Sequence, residues 1–209
     1  MTQILFSGPK KSKTTIILAH GAGAPMDTPF MDFFADALAE RTFRVARFEF
    51  PFMADRRTGG KKRPPNPMKV LIETWNDVID ELGRDGGKEN LIIGGKSMGG
   101  RVASMVADEA KVKGLVCLGY PFHAPGKMAD EKRIGHLVAL QTPTLICQGT
   151  RDTLGNKENV TNYKLSPAIE MHWLEDGDHG FKPRKKSGLN ELQNWLSAVD
   201  AIASFADRL

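Results

Sequence analysis

The chain is predicted to fold as an α/β architecture, a mostly parallel central sheet with helices on both faces. Short apolar strand-like runs alternate with stretches of helical periodicity from Thr14 onward. Glycine-rich or polar turns stand where those runs end. The length, 209 residues, suits one substantial core and is too short for two ordinary domains, so residues 1–209 are expected to form a single domain.

In order, Ile4-Leu5-Phe6 and the lysine-rich stretch Lys10 to Lys13 read as an edge hairpin turned by Gly8-Pro9. Thr14 to Ala19 is a β-branched apolar run and reads as a buried strand, running into the turn His20-Gly21-Ala22-Gly23-Ala24-Pro25. Phe30, Phe33, Phe34, Ala37 and Leu38 recur at helical spacing over Pro29 to Arg41. Phe43 to Phe50 reads as a strand ended by Pro51, and Met53 to Pro67, with Gly59-Gly60 and Pro64-Pro65, as a loop. Helical periodicity returns from Met68 to Leu82, and Leu91 begins a further strand, followed by a helix to about Ala110. Val112 to Leu118, Thr144 to Gln148 and Ile169 to Leu174 complete the strands. Short helices are expected over Asp130 to Leu137 and Asn156 to Tyr163, and a strong amphipathic helix over Leu189 to Phe205.

Composition narrows the functional classes. Apolar residues make up 41% and charged residues 26%, an ordinary globular balance, and a net charge of +4 does not by itself argue for nucleic acid. Cys117 and Cys147 sit inside apolar runs and read as small core side chains rather than a disulfide or metal site. No apolar leader and no run approaching 18 apolar residues is present, so a cytoplasmic protein without a membrane partner is expected. No set of His, Cys and carboxylate residues has metal-ligand spacing, and the turn at Gly21 lacks the lysine and hydroxyl of a phosphate cradle. No cofactor is expected.

The chemistry is carried by Gly95-Lys96-Ser97-Met98-Gly99, a Gly-x-Ser-x-Gly motif between the Leu91 strand and a helix of small residues. A strand, a sharp turn and a helix are what a nucleophile elbow requires, with serine at the apex. Glycines two before and two after the serine relieve the crowding of that turn. Asp152 and His179 leave later strand ends, and in open α/β sheets the reactive loops lie at those ends. The order Ser, Asp, His matches the triad order of this elbow. Ser97 is read as the nucleophile, His179 as general base, and Asp152 as the carboxylate that fixes the imidazole. Asp176 and Asp178 compete for the last role, but both share a loop with His179. Backbone N–H groups of Met98 and Ala22 are the expected oxyanion donors. His20 reads as a structural turn residue, and His136 and His172 as ordinary surface or half-buried residues.

Further residues are candidate substrate contacts. His123 lies on a strand-end loop, and Phe52, Met53, Tyr120 and Phe122 suit either an apolar wall at the mouth or the core. The basic stretch Arg56 to Arg63 reads either as a solvated loop or as a rim that attracts an anionic substrate or a protein partner. It lacks the interleaved aromatics of a single-strand nucleic-acid groove.

Taken together, the elbow Gly94 to Arg101, Ala19-His20-Gly21-Ala22-Gly23-Ala24, Phe48 to Met53 with Arg56-Arg57, and Gly119-Tyr120-Pro121-Phe122-His123 resemble a small α/β-hydrolase branch near the dienelactone-hydrolase group. That branch includes the third regulatory subunit of the NSL histone acetyltransferase complex, a testis-expressed protein and bacterial members. The resemblance spans nearly the whole chain, and the lysine before the serine makes it more specific than the generic elbow. It implies a hydrolase fold with Ser97, Asp152 and His179 at the triad positions. The expectation is a serine hydrolase acting on a small ester or thioester without a large lid, because Gly119 to Pro143 is only 25 residues. The rival is a non-catalytic interaction module or complex subunit on the same fold.

Overall fold

The computed structural model describes residues 2–84, 87–127 and 131–209. Its sheet has strands β1 (Ile4–Ser7), β2 (Thr15–Ala19), β3 (Arg44–Phe48), β4 (Leu91–Lys96), β5 (Gly114–Leu118), β6 (Thr144–Gly149) and β7 (Ile169–Leu174). Their spatial order is β1-β3-β2-β4-β5-β6-β7. β1 runs antiparallel to β3, and every other neighbouring pair is parallel. The helices are α1 (Pro29–Glu40), α2 (Pro51–Arg57), α3 (Met68–Gly83), α4 (Met98–Ala110), α5 (Glu131–Ile134), α6 (Lys157–Val160) and α7 (Glu191–Arg208).

The pleat of β2 explains the layering. Ile16 and Leu18 point to one face and Ile17 and Ala19 to the other, as a period of two demands, and all four are fully buried. The first face is closed by Phe34 and Leu38 of α1 with Val199 and Ile202 of α7. Leu71 and Trp75 of α3, with Val102 and Val106 of α4, close the second. The long helix α7 starts on a capping box: Asn190 accepts from the Gln193 backbone at 2.9 Å, and Gln193 Oε1 accepts from the Asn190 backbone at 2.8 Å. None of the helices among the described residues is long and apolar enough to cross a membrane.

β3 lies on one side of β2 and β4 on the other, so strand order reverses at β2 and β4. Crevices at such switch points, beyond the carboxyl ends of the strands, are where open α/β sheets hold ligands. The Gly21 turn leaves one of these strands and Ser97 leaves the other.

Two expectations are corrected. Residues 4–7 do not pair with the lysine stretch; they form the sheet edge against β3, with Ile4 opposite Phe48 and Ser7 opposite Val45. Arg44 also covers the Phe6 ring at 4.4 Å. Pro51 does not merely end a strand but opens α2, where its lacking N–H is harmless. The next free donor, the Phe52 N–H, is accepted by Asn66 Oδ1 at 2.8 Å, from beyond the basic segment. Asp130, the expected start of the first short helix, lies outside the described residues.

Candidate active site

Ser97 stands between β4 and α4 with φ 52° and ψ −114°, outside the regions open to ordinary L-residues. Such a conformation costs on the order of 1–3 kcal/mol and must be imposed by its surroundings. Two glycines show how. A Cβ on Gly95 would overlap the Ala19 backbone, and one on Gly99 would overlap the carbonyls of Ala19 and His20. The Ser97 N–H donates to the Leu118 carbonyl at 3.0 Å, tying the apex to the end of β5. Its hydroxyl makes no capping bond to α4, so it is not committed to the helix. Met98 is the first residue of α4, where backbone N–H groups lack an intrahelical acceptor.

His179 lies in the loop after β7, and its Nδ1 is 2.7 Å from Asp152 Oδ2. An ionised carboxylate only accepts, so Nδ1 carries the proton and Nε2 is left with a lone pair. Asp152 is fully buried, which makes its other contacts decisive. Gln148 Nε2 donates to the same Oδ2 at 2.9 Å, and the Leu154 N–H donates to Oδ1 at 2.8 Å. Gln148 is itself held at both ends: its Oε1 accepts from Tyr120 N–H at 2.7 Å, and its Nε2 also reaches the carbonyls of Tyr120 and Gly155. The competing carboxylates are engaged elsewhere. Arg184, aided by Arg151, holds the Asp176 carboxyl down at about 2. Asp178 Oδ1 accepts from the backbone of Gly180 and Lys182.

Ser97, Lys96 and His179 line one cavity of about 480 Å³ together with Gly21 and Ala22, and a Cβ on Gly21 would lie 3.6 Å from Ser97 Cβ. The rest of its lining includes an apolar group, Pro25, Phe30, Met31 and Trp195. Phe30 and Trp195 meet edge to face at 5.3 Å, and the indole N–H donates to the Gly180 carbonyl at 3.0 Å. Residues 12–207 match the family model for the alpha/beta hydrolase domain. The chain belongs to the alpha/beta hydrolase family. It shares its fold with an alpha-beta serine hydrolase homologue from Coxiella burnetii (TM-score 0.73, 21% identity, covering 96% of this chain and 91% of that one). A Xanthomonas campestris protein described as an a/b serine hydrolase without lid is similar (TM-score 0.70, 18% identity, 99% and 88% covered). So is a monoacylglycerol lipase of Paleococcus ferrophilus (TM-score 0.70, 14% identity, 98% and 99% covered). At these identities the likeness is one of fold.

Several residues expected at the mouth of the cavity lie elsewhere. Phe52, Tyr120, Phe122 and His123 are at most 4% exposed and are packed inside rather than lining the cavity. The β5 exit turns inward, packing Phe122 at a tilt against Tyr120 and Tyr163, which strand-end position alone does not reveal. Arg57 is occupied by Asp27 and Glu49 at 2.6–3.0 Å. Arg56 borders a smaller cleft of about 220 Å³ that shares only Pro25 with the main cavity. His20 is structural: Nδ1 donates to the Gly21 carbonyl at 2.6 Å, and Nε2 accepts from Phe50 N–H at 3.1 Å. Burial holds its pKa below the ordinary histidine value, so both roles belong to one neutral tautomer.

Sequence reasoning missed Gln148, Phe30 and Trp195. The first had a signal, an amide inside an otherwise apolar strand run. Phe30 and Trp195 had none, because both sit at core-like positions of amphipathic helices.

Proposed function

We propose that the chain is a serine hydrolase that cleaves a small ester or thioester through an acyl-enzyme. Ser97 Oγ attacks the substrate carbonyl carbon while its proton passes to His179 Nε2. The oxyanion is received by the N–H groups of Met98 and Ala22, each worth about 3 kcal/mol in comparable sites. Collapse expels the alcohol or thiol, which takes the proton back from His179. Water then repeats the attack on the acyl-enzyme with the same base and releases the acid. Asp152 keeps Nδ1 protonated throughout. The observation that carries this reading is the 2.7 Å His179–Asp152 bond on the wall of the cavity that Ser97 lines.

The apolar wall of Phe30, Met31 and Trp195 favours an uncharged acyl group. A small acyl group is favoured by the segment between β5 and β6. Its described residues include only the four-residue α5 and a 3-10 turn at Gly135–Val138, with Leu137 buried in the core. Lys96 beside Ser97 adds to the resemblance to the small branch near the dienelactone-hydrolase group, which supports this reading.

A fluorophosphonate probe tests the proposal. Covalent labelling is expected on Ser97, with p-nitrophenyl ester turnover highest for short acyl chains. An unlabelled Ser97, under conditions that label a known serine hydrolase, would favour the rival reading of a non-catalytic module.

A further inference from the structure

Lys96 is the residue of the elbow that the elbow geometry does not require. It lines the same cavity as Ser97 and His179, and its ammonium donates to the main-chain carbonyl of His179. The same Nζ lies 5.3 Å from the Phe30 ring centre and 5.4 Å from that of Phe181, both within cation–π range. Gly119, at the end of β5, leaves the room for this. A Cβ there would come within 2.7 Å of Nζ, 3.1 Å of the His179 carbonyl oxygen and 3.3 Å of His179 Cε1. Three strand ends therefore converge on one ammonium. The charged groups facing it are Asp152, from the loop after β6, and Asp178, from the loop after β7.

A partly buried ammonium between one carbonyl acceptor and two aromatic faces is a costly way to fill space, and a methionine would pack there without a charge to desolvate. What the charge achieves is a direct link between neighbours in the reaction that are far apart in sequence. Lys96 is covalently next to Ser97, and its ammonium grips the backbone of His179. We infer that Lys96 is a positioning residue that locks the His179 loop onto the nucleophile elbow, and that the lock depends on its positive charge. The inference rests on the proposed roles of Ser97 and His179. Burial pushes the Lys96 pKa down to about 8, against the pull of Asp152 and Asp178, so the charge is lost in mildly alkaline solution. The neutral amine still donates, but without the ion–dipole strength or the attraction to the two rings.

The test measures kcat and KM on a p-nitrophenyl ester from pH 6 to 10 for wild type, Lys96→Met and Lys96→Arg, beside Ser97→Ala. A small displacement of the base lowers turnover far more than affinity. K96M is expected to lose about tenfold or more in kcat at pH 7, with KM little changed. Wild-type kcat is expected to fall as pH rises through 8, and this limb is expected to be absent in K96M and displaced beyond pH 10 in K96R. A K96M enzyme with wild-type kcat and the same alkaline limb overturns the inference. So does a wild-type profile flat to pH 10, which needs no variant to fold. If wild type neither turns over the ester nor labels at Ser97, the hydrolase reading fails with it. If Ser97→Ala abolishes activity while K96M does not alter it, only the role of Lys96 falls.

Discussion

The Ser97–His179 pair proposed for the chemistry contrasts with Ser104–His136, which, like Ser197–His172, is joined by a direct hydrogen bond. Ser104 Oγ lies 2.8 Å from His136 Nε2, inside α4 and only 2% exposed. Its hydroxyl has one proton, and the Arg101 carbonyl at 2.7 Å can only accept, so the proton goes there. The Tyr120 hydroxyl is likewise committed, to the Arg133 carbonyl at 2.8 Å. His136 must then present Nε2 as N–H, a donor to Ser104 and not a base. At His179 the buried Asp152 carboxylate claims the Nδ1 proton and leaves Nε2 free to accept one. The distinction lies in the atom behind each group. A carbonyl behind Ser104 makes a structural clip, whereas a carboxylate behind His179 leaves Nε2 fitted for the proposed base role.

Exchanging the two serines tests this contrast with the largest expected effect. Ser97→Ala is expected to lower kcat by about 10⁴-fold or more, measured on any ester the wild type turns over. Ser104→Ala is expected to keep turnover near wild type while losing about 1–2 kcal/mol in denaturant unfolding, because it leaves buried partners unmatched. The reverse pattern would move the nucleophile to Ser104. Next comes the carboxylate. Asp152→Asn presents either an amide donor or a neutral oxygen to Nδ1 and no longer enforces the basic tautomer, so a loss of about 10³–10⁴-fold in kcat is expected. Near-normal turnover in D152N would show that the carboxylate behind His179 is not what separates the pairs. Gln148 stands one step further back. Gln148→Ala frees Oδ2 of Asp152 from its second donor, and a loss of about 10- to 100-fold in kcat with a small change in KM is expected. Unchanged kcat would leave Gln148 a purely structural clamp on Tyr120 and Gly155.

The sequence made the parallel sheet legible because buried strands announce themselves as short apolar runs, and Thr15–Ala19 and Leu91–Lys96 fall close to their expected bounds. The strained apex was legible for a related reason: Gly95 and Gly99 approach backbone so closely that only glycine fits, which fixes a pattern in the letters. What failed to show depended on distant partners. α2 starts where Asn66 supplies an acceptor fourteen positions away, and β1 chose β3 rather than its neighbour in sequence. Tyr120 and Phe122 follow a strand as site residues do, yet the chain folds them inward and no local periodicity records that turn. Lys96 had a place in the motif, but its ammonium reaches a carbonyl 83 positions later, that of His179.

The smallest predicted effect concerns a third histidine, whose partners again decide its form. His20 donates from Nδ1 to the Gly21 carbonyl and accepts at Nε2 from Phe50 N–H, so protonation would set a donor against that N–H. Its folded pKa is lowered, chiefly by burial, while the unfolded chain titrates near the ordinary value of 6.5. Below that value the unfolded chain binds a proton that the folded one refuses, and stability falls as pH drops from about 6.5 toward the folded pKa. His136 and His172 are shifted in the same direction, again chiefly by burial, and add to the slope with the same sign. Thermal unfolding from pH 7.5 to 5 is therefore expected to show a falling midpoint. His20→Gln retains an acceptor for Phe50 but cannot titrate, so the variant is expected to start less stable at pH 7.5 and to decline less steeply. An equal slope in H20Q and wild type would mean that His20 already takes up its proton in the folded chain. The Gly21 turn, beside the proposed oxyanion donor Ala22, would then rest on some other contact.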